Sequence, residues 1–228
     1  MIKTIFLDLD DTIFDFHKAE ALALTGMLKE IGVEPTEERI SRYSEINAMQ
    51  WKRLERGEIT REVVLYERFR LFFLEYGIAQ DPMTARRIYE KKLGTGHYFI
   101  DGAEELLDAL YGKYRLYLAS NGTAAVQAGR IQSSGIEKYF EEIFVSEAIG
   151  HNKPSKEFFD FCFDKIGGID KESAIIIGDS LSSDILGGKN AGIKTCLFNP
   201  KKKAVTGDII PDYEVNSLSE IPALLERI

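Results

Sequence analysis

TIFLDLDDTI, at residues 4–13, decides the fold expected of this chain. Its apolar half, residues 4–7, has the length and the branched and aromatic composition of a buried strand. Asp8 and Asp10 follow that strand at once. Ligands of open α/β sheets bind at the carboxyl ends of the strands, so acidic residues in this position predict a functional site at the edge of a sheet.

Four more short apolar runs follow in the second half of the chain, and amphipathic helical segments separate them. Strands alternating with helices are typical of a parallel sheet covered on both faces, so we predict a doubly wound α/β domain. The predicted strands are residues 4–7, 115–119, 142–145, 174–177 and 195–198, and the predicted helices begin near residues 102, 123, 156 and 182.

Between about residues 17 and 93 the periodicity is helical only. Thr36, Thr60 and Asp81 stand where N-caps are expected, and the last precedes a proline at the first helical position. These start signals predict four helices joined by short connections. We therefore predict a core domain of residues 1–14 and 97–228, interrupted by an all-helical cap domain of residues 15–96.

Composition excludes several classes of protein. The 228 residues are 44% hydrophobic, which is enough for a sizeable core, and the net charge of −8 disfavours binding to a nucleic-acid polymer. Cys162 and Cys196 form no CxxC pair, which favours a reducing cytoplasm. No signal-peptide core or membrane-spanning run is recognisable, so we expect a cytoplasmic protein without a membrane partner. Nothing in the sequence indicates the oligomeric state.

Polar residues also follow the other predicted strands. Ser120, Asn121 and Gly122 come directly after the second strand, Lys153 comes shortly after the third, and Asp179 follows the fourth. Because parallel strands end at one edge of the sheet, we expect all of these residues to converge on a single crevice.

Phosphoryl transfer is the chemistry that such a crevice favours. Clustered carboxylates repel one another unless a hard cation such as Mg²⁺ binds them. The Ser120 hydroxyl, the backbone amides that follow it and Lys153 can bind a phosphate group. We predict that Asp8 attacks phosphorus and that Asp10, two residues further along an extended segment, acts as general acid and then general base.

Four motifs in this order resemble those of the haloacid dehalogenase superfamily, phosphatase branch. They are DLDDTI at residues 8–13, SNG at 120–122, KP at 153–154, and GDS at 178–180 with Asp184. The resemblance implies a Rossmann-like core with an inserted helical cap of the C1 type. It also implies that Asp8, Asp179, Asp184 and the backbone carbonyl of Asp10 bind Mg²⁺.

The helical insert is similar to that of the pyrimidine 5′-nucleotidase subgroup, at residues 46–47, 51, 57–60 and 68–69. The resemblance implies a small phosphorylated metabolite, a nucleotide, as the substrate. Phe16, His17, Asn47 and Trp51 are the candidates for contact with the leaving group. Hinge packing is an alternative role for Phe16 and His17, and core packing is the alternative for Trp51.

Other functions share most of these residues. A phosphoglycolate or sugar phosphatase, a pyrophosphatase and a phosphomutase would all use Asp8, Asp10 and Mg²⁺. A haloacid dehalogenase is disfavoured because a halide leaving group needs no proton, whereas Asp10 is present to supply one. A module that only binds a phosphorylated ligand is the last alternative, because both acidic residues are retained.

Overall fold

A computed structural model describes residues 1–205 and 207–228, and it contains a six-stranded sheet in the order β3-β2-β1-β4-β5-β6. All neighbouring strands in it are parallel. The strands are β1 Thr4–Leu7, β2 Arg115–Ser120, β3 Glu142–Val145, β4 Ala174–Gly178, β5 Lys194–Phe198 and β6 Tyr213–Val215. The doubly wound α/β prediction is confirmed.

Ten α-helices accompany the sheet in the described part of the chain. Four of them, α1 to α4, lie between β1 and β2. They are Phe16–Glu30, Glu37–Glu55, Arg61–Tyr76 and Pro82–Leu93, followed by α5 Ala103–Leu110, α6 Ala124–Ser134, α7 Ser146–Ile149, α8 Lys156–Ile166, α9 Leu186–Ala191 and α10 Ile221–Leu225. None of these helices is both long enough and apolar enough to cross a bilayer.

Strand β1 lies in the middle of the sheet and is completely buried. Leu7 pairs with Leu118 of β2 and with Ile177 of β4, so Asp8 stands at the level of Ala119 and Gly178, near the carboxyl ends of the three strands. Along β1, Ile5 and Leu7 pack into one apolar cluster while Phe6 packs into the cluster on the opposite face. This period of two places a separate core on each side of the sheet.

The four inserted helices have their own apolar cluster, which includes Leu24, Tyr43 and Phe69. The expected N-caps form: the side chains of Thr36, Thr60 and Asp81 each accept a hydrogen bond from the first turn of their helix. These helices can therefore be stabilised largely by contacts with one another. Their assignment to a separate domain of residues 15–96 stays a prediction.

Two details of the fold differ from the sequence prediction. Strand β6 was not predicted, because three residues at the edge of a sheet carry too little apolar pattern to be recognised. The helix predicted from residue 182 begins instead as a π-helical turn, Leu181–Ile185, before α9. In that turn the Asp184 carboxylate accepts a hydrogen bond from the Ser180 backbone N–H, 3.1 Å away. A wide turn of this kind is frequent at functional sites.

Candidate active site

The centre of the site is an ion-pair network at the end of β1. Asp8 is 7% exposed, and its backbone N–H donates to the carbonyl of Ile177 at 2.9 Å, which continues the sheet by one residue. Lys153, 1% exposed, donates from Nζ to Asp8 Oδ1 at 2.7 Å and to Asp184 Oδ1 at 2.6 Å. A third donation, to the carbonyl of Ala119, completes its three hydrogen bonds. The lysine thus holds two buried carboxylates in place.

Three carboxylates form a potential cation site. One oxygen from each of Asp8, Asp179 and Asp184 lies within 4.8 Å of the others. Their three negative charges face the single positive charge of Lys153, so the group is suited to a divalent cation that prefers oxygen ligands. The carboxylate of Asp10 does not belong to this group, and its role as a backbone-carbonyl ligand stays a prediction.

The raised pKa values of Asp8 and Asp179 show that the three-carboxylate group has too little positive charge around it. Burial raises the pKa of Asp8 to about 8, and the charges of Asp184 and Asp10 add to the effect, while Lys153 opposes it. Removal from bulk water, with the negative charges of Asp8 and Asp184, also raises the pKa of Asp179 well above its usual range. Asp179 keeps an accessible surface in the cleft, and the negative charges of Asp8, Asp184 and Asp11 all act on it. A bound cation would reverse both shifts.

The Asp10 carboxylate is held from α6. Its Oδ2 accepts a hydrogen bond from Gln127 Nε2 at 2.7 Å, and its Oδ1 accepts one from Arg130 Nη1. Gln127 Nε2 also donates to Ser120 Oγ at 2.9 Å. These contacts bind the Asp10 carboxylate to α6, whereas the three-carboxylate group is held by Lys153.

Sequence reasoning missed Gln127 and Arg130. Arg130 is fully buried, donates from Nε to the carbonyl of Gly96, and lies 5.2 Å from the ring of Phe14. Their spacing could have identified them, because residues three apart lie on one face of the helix that follows the Ser120 motif. Buried polar side chains on that helix need hydrogen-bond partners, and the crevice is where such partners would lie.

The Ser120 loop contains a hydroxyl and backbone amides, as expected. Ser120 Oγ accepts from the N–H of Gly122 at 3.1 Å, so its own proton is free to point elsewhere. The side chain of Asn121 has a structural role: it accepts from the N–H of Lys153 and donates to the carbonyl of the same residue, both at 2.8 Å. Asn121 can therefore contact phosphate only through its backbone.

A cavity of about 310 Å³ lies between this group and the helical insert. Phe16 and His17, at the start of α1, line its mouth, and their backbone N–H groups donate to Asp11 Oδ1 at 3.0 and 3.4 Å. His17 Nε2 also approaches Asp11 Oδ2, 3.4 Å away. Asp11 has a φ of 58°, a left-handed conformation that turns the chain from the sheet into α1. Packing at this junction and contact with a ligand are thus compatible.

The opposite wall of the cavity is a buried polar network on the inserted helices. Asn47, at its centre, donates to Glu20 Oε1 at 2.7 Å and accepts from Trp51 Nε1 at 3.1 Å. It also accepts from Arg68 Nη1 at 3.3 Å, and Arg68 in turn contacts Glu90 at 3.2 Å. Asn47 and Trp51 line the cavity, and their contact with a leaving group stays a prediction, whereas sequence reasoning did not identify Glu20, Arg68 and Glu90 as wall residues.

Comparison with known proteins identifies the family. The model of the haloacid dehalogenase-like hydrolase family matches residues 5–198, from the first buried strand to the end of β5. The matched region thus includes all four motifs and the inserted helices.

Full-length relatives agree with this match. HAD-hydrolase YfnB of Bacillus subtilis is 40% identical over 98% of this chain and 95% of its own length. Pyrimidine 5′-nucleotidase PynA of Streptococcus pneumoniae is 37% identical over 99% and 95%, and pyrimidine 5′-nucleotidase YjjG of Escherichia coli is 30% identical over 97% and 96%. A crystal structure of YfnB bound to magnesium superimposes with a TM-score of 0.94 at 39% identity, covering 98% of both chains. This chain therefore belongs to the haloacid dehalogenase-like hydrolase family.

Proposed function

We propose that this protein is a Mg²⁺-dependent phosphomonoesterase that acts on pyrimidine nucleoside 5′-monophosphates through a phosphoryl-aspartate intermediate. The observation that carries the proposal is the separation of two carboxylates that are only two residues apart. Asp8 contacts Lys153 in the three-carboxylate group, whereas the Asp10 carboxylate is bound separately by Gln127 and Arg130 of α6. This arrangement supports attack on phosphorus by Asp8 and proton transfer to the leaving group by Asp10.

In the first step, an oxygen of Asp8 forms a bond to phosphorus as the bond from phosphorus to the leaving oxygen breaks. Asp10 donates its proton to that oxygen, so the nucleoside departs as an alcohol. In the second step, Asp10 removes a proton from water, and the resulting hydroxide displaces Asp8 to release inorganic phosphate. The backbone amides of the Ser120 loop would bind the phosphoryl oxygens during both steps, and the charge of Lys153, whose three donors already bind protein oxygens, would stabilise the negative charge there.

Mg²⁺ fits the oxygen ligands of Asp8, Asp179 and Asp184. When bound, it would neutralise charge on the phosphoryl oxygens and keep Asp8 ionised. The magnesium-bound crystal structure of YfnB supports the same cofactor here.

The charge of the inserted helices favours an uncharged leaving group. Among the cavity-lining residues of α1 to α4, Glu20, Glu55 and Glu90 are acidic and only Lys52 and Arg68 carry a full positive charge. Arg68 is already paired with Glu90. A glycolate or a second phosphate would therefore gain no net attraction on this side, whereas a nucleoside would encounter no repulsion.

The shape and polarity of the same wall favour a nucleoside. Phe16 and Trp51 offer aromatic surfaces, and the network around Asn47 contains both hydrogen-bond donors and acceptors, which the edge of a base can pair with. PynA and YjjG, which are named pyrimidine 5′-nucleotidases, support this substrate class. In this proposal, residues 15–96 act as the cap that covers the leaving group.

A substrate panel with Mg²⁺ tests the proposal. It compares uridine and thymidine 5′-monophosphates with purine nucleotides, sugar phosphates, phosphoglycolate and pyrophosphate, and uses p-nitrophenyl phosphate to report on the chemical step alone. We expect the highest kcat/KM for the pyrimidine nucleotides, by about tenfold over phosphoglycolate, a difference of about 1.4 kcal/mol. A preference for phosphoglycolate or for a sugar phosphate would contradict the substrate class while leaving the phosphatase mechanism intact.

A further inference from the structure

Arg61 belongs to the helical insert but contacts the core. It is the first residue of α3, and its guanidinium donates from Nη1 to the carbonyls of Asn121 and Gly122 at 3.0 and 2.9 Å. Its Nη2 donates to Ser146 Oγ and to Asn152 Oδ1. One side chain of the insert thus makes four hydrogen bonds to two loops of the sheet domain.

Those two loops contain the predicted phosphate-binding groups. Asn121 and Gly122 form the loop after β2, whose backbone N–H groups follow Ser120, and Asn152 immediately precedes Lys153. The side chain of Asn121 already joins the loops through its two hydrogen bonds to the Lys153 backbone. Arg61 adds a second connection between the same loops, from the side of the helical insert.

Arg61 makes no direct ion pair with a carboxylate in the described residues, although Glu147 and Glu62 lie near enough to oppose the effect of burial on its pKa. All four of its acceptors are uncharged oxygens, and in residues 1–205 and 207–228 no carboxylate oxygen lies within 4.0 Å of its guanidinium. The Trp51 ring, 5.4 Å away, covers one face of the guanidinium. Burial lowers the pKa of Arg61, but a guanidinium remains cationic at neutral pH. Its positive charge therefore adds to the potential at the adjacent phosphate-binding loop.

A second contact flanks the site on its other side. Glu55, near the C-terminal end of α2, accepts a hydrogen bond from Ser182 Oγ at 2.7 Å, in the turn after β4. The short connection from Glu55 to Arg61 thus contacts the loops that follow β2, β3 and β4.

We propose that Arg61 is a positioning residue, which the helical insert supplies to hold the two phosphate-binding loops in place. Phosphate binding and the contact of α3 with these loops would then stabilise each other, because both depend on the same arrangement of the loops. This inference rests on one part of the proposed function, namely that the Ser120 and Lys153 loops bind phosphate. Arg61 itself does not take part in the chemical step.

Binding of inorganic phosphate measures this role without turnover. Isothermal titration in saturating Mg²⁺ would compare the wild type with Arg61→Gln, Arg61→Lys and the control Arg70→Gln. Arg70 is an exposed residue of the same helix, and within the described residues its side chain forms hydrogen bonds with Glu67 alone. We expect Arg61→Gln to weaken phosphate binding about tenfold and the control to bind phosphate normally. Arg61→Lys should have an intermediate effect, because lysine keeps the charge but lacks the planar guanidinium that donates all four hydrogen bonds.

The result that would overturn the proposal is equal phosphate affinity in the wild type and in Arg61→Gln, with melting temperatures showing that both are folded. Should Arg61→Gln fail to fold, equal affinity in Arg61→Lys would be equally decisive. A wild type that binds phosphate but hydrolyses no phosphomonoester would refute the proposed function and leave this comparison valid. A wild type that binds no phosphate at all would refute both.

Discussion

The two sides of the cavity are built in different ways. On the side of the sheet, charged groups stand directly after strands, and Lys153 ties two of them together with bonds of 2.6 and 2.7 Å. On the side of the inserted helices, Asn47 connects residues that lie far apart in the sequence, Glu20 and Arg68. In the proposed mechanism, the sheet side carries the groups for chemistry, and the helix side carries groups that can distinguish one leaving group from another.

This difference has a physical basis in backbone hydrogen bonding. Pairing of Leu7 with Leu118 and Ile177 sets the relative level of the three strands, so the backbone at their ends cannot shift without breaking hydrogen bonds of the sheet. Helices pack through side chains alone, so substitutions on α1 to α4 can change the wall without disturbing the carboxylates. Substitutions on the sheet side should therefore affect every substrate, as should those of Arg61, which contacts the loops of the sheet side, whereas substitutions around Asn47 should be selective.

The largest expected effect is that of Asp8→Asn. The amide is a far weaker nucleophile than the carboxylate, so kcat should fall by at least about 10³-fold for nucleotides and for p-nitrophenyl phosphate alike. Lys153 keeps its bond to Asp184, so the melting temperature should stay close to that of the wild type. Initial rates measure the effect, and normal activity in this variant would refute the assignment of the nucleophile.

The second effect concerns Mg²⁺ and Asp179. Mg²⁺ at about 100 times its Kd should raise the melting temperature of the wild type by roughly 5 to 10 °C, because it binds only the folded carboxylate group. In Asp179→Asn most of this rise should disappear, and kcat should fall about 100-fold. Thermal unfolding with and without Mg²⁺ is the measurement. Asp160→Asn, which removes an acid from the surface of α8, is the control and should respond like the wild type.

The third effect tests whether the helix side is selective. Asn47→Leu keeps the approximate volume but removes the hydrogen bonds to Glu20, Trp51 and Arg68. We expect kcat/KM for pyrimidine nucleotides to fall about tenfold while the rate with p-nitrophenyl phosphate changes by less than about threefold. Steady-state kinetics with both substrates provide the comparison. An equal loss on both would show that the two sides do not act separately.

The smallest effect is a pH dependence of stability that arises from Glu20. Burial raises its pKa above the ordinary value of 4.5, although hydrogen bonds from Ser44 and Asn47 oppose the shift. The folded state therefore binds this proton more tightly than the unfolded state, so the contribution of Glu20 to stability falls as pH rises above that value. The melting temperature of Glu20→Gln should decline less than that of the wild type between about pH 5 and about pH 8. An identical decline in both would refute this assignment.

The sheet side was largely predictable from the sequence because its information is local. Asp8, Ser120 and Asp179 each follow an apolar run directly, and parallel strands of similar length must end together. Lys153 was identified by its place in the motif order, although its bonds to Asp8 and Asp184 were not foreseen. The π-helical turn around Asp184 was missed because its hydrogen bond to Ser180 has no sequence period of its own.

The sequence by itself therefore determined the sheet, the inserted helices and the acidic residues at the strand ends, since hydrophobic periodicity and strand termini are properties of neighbouring residues. Only the tertiary structure decided that Gln127 and Arg130 hold Asp10, that Glu20 and Arg68 meet at Asn47, and that Arg61 reaches across to the loops of the sheet domain. These contacts join residues on separate helices and loops, and their geometry depends on how those elements pack rather than on any pattern along the chain.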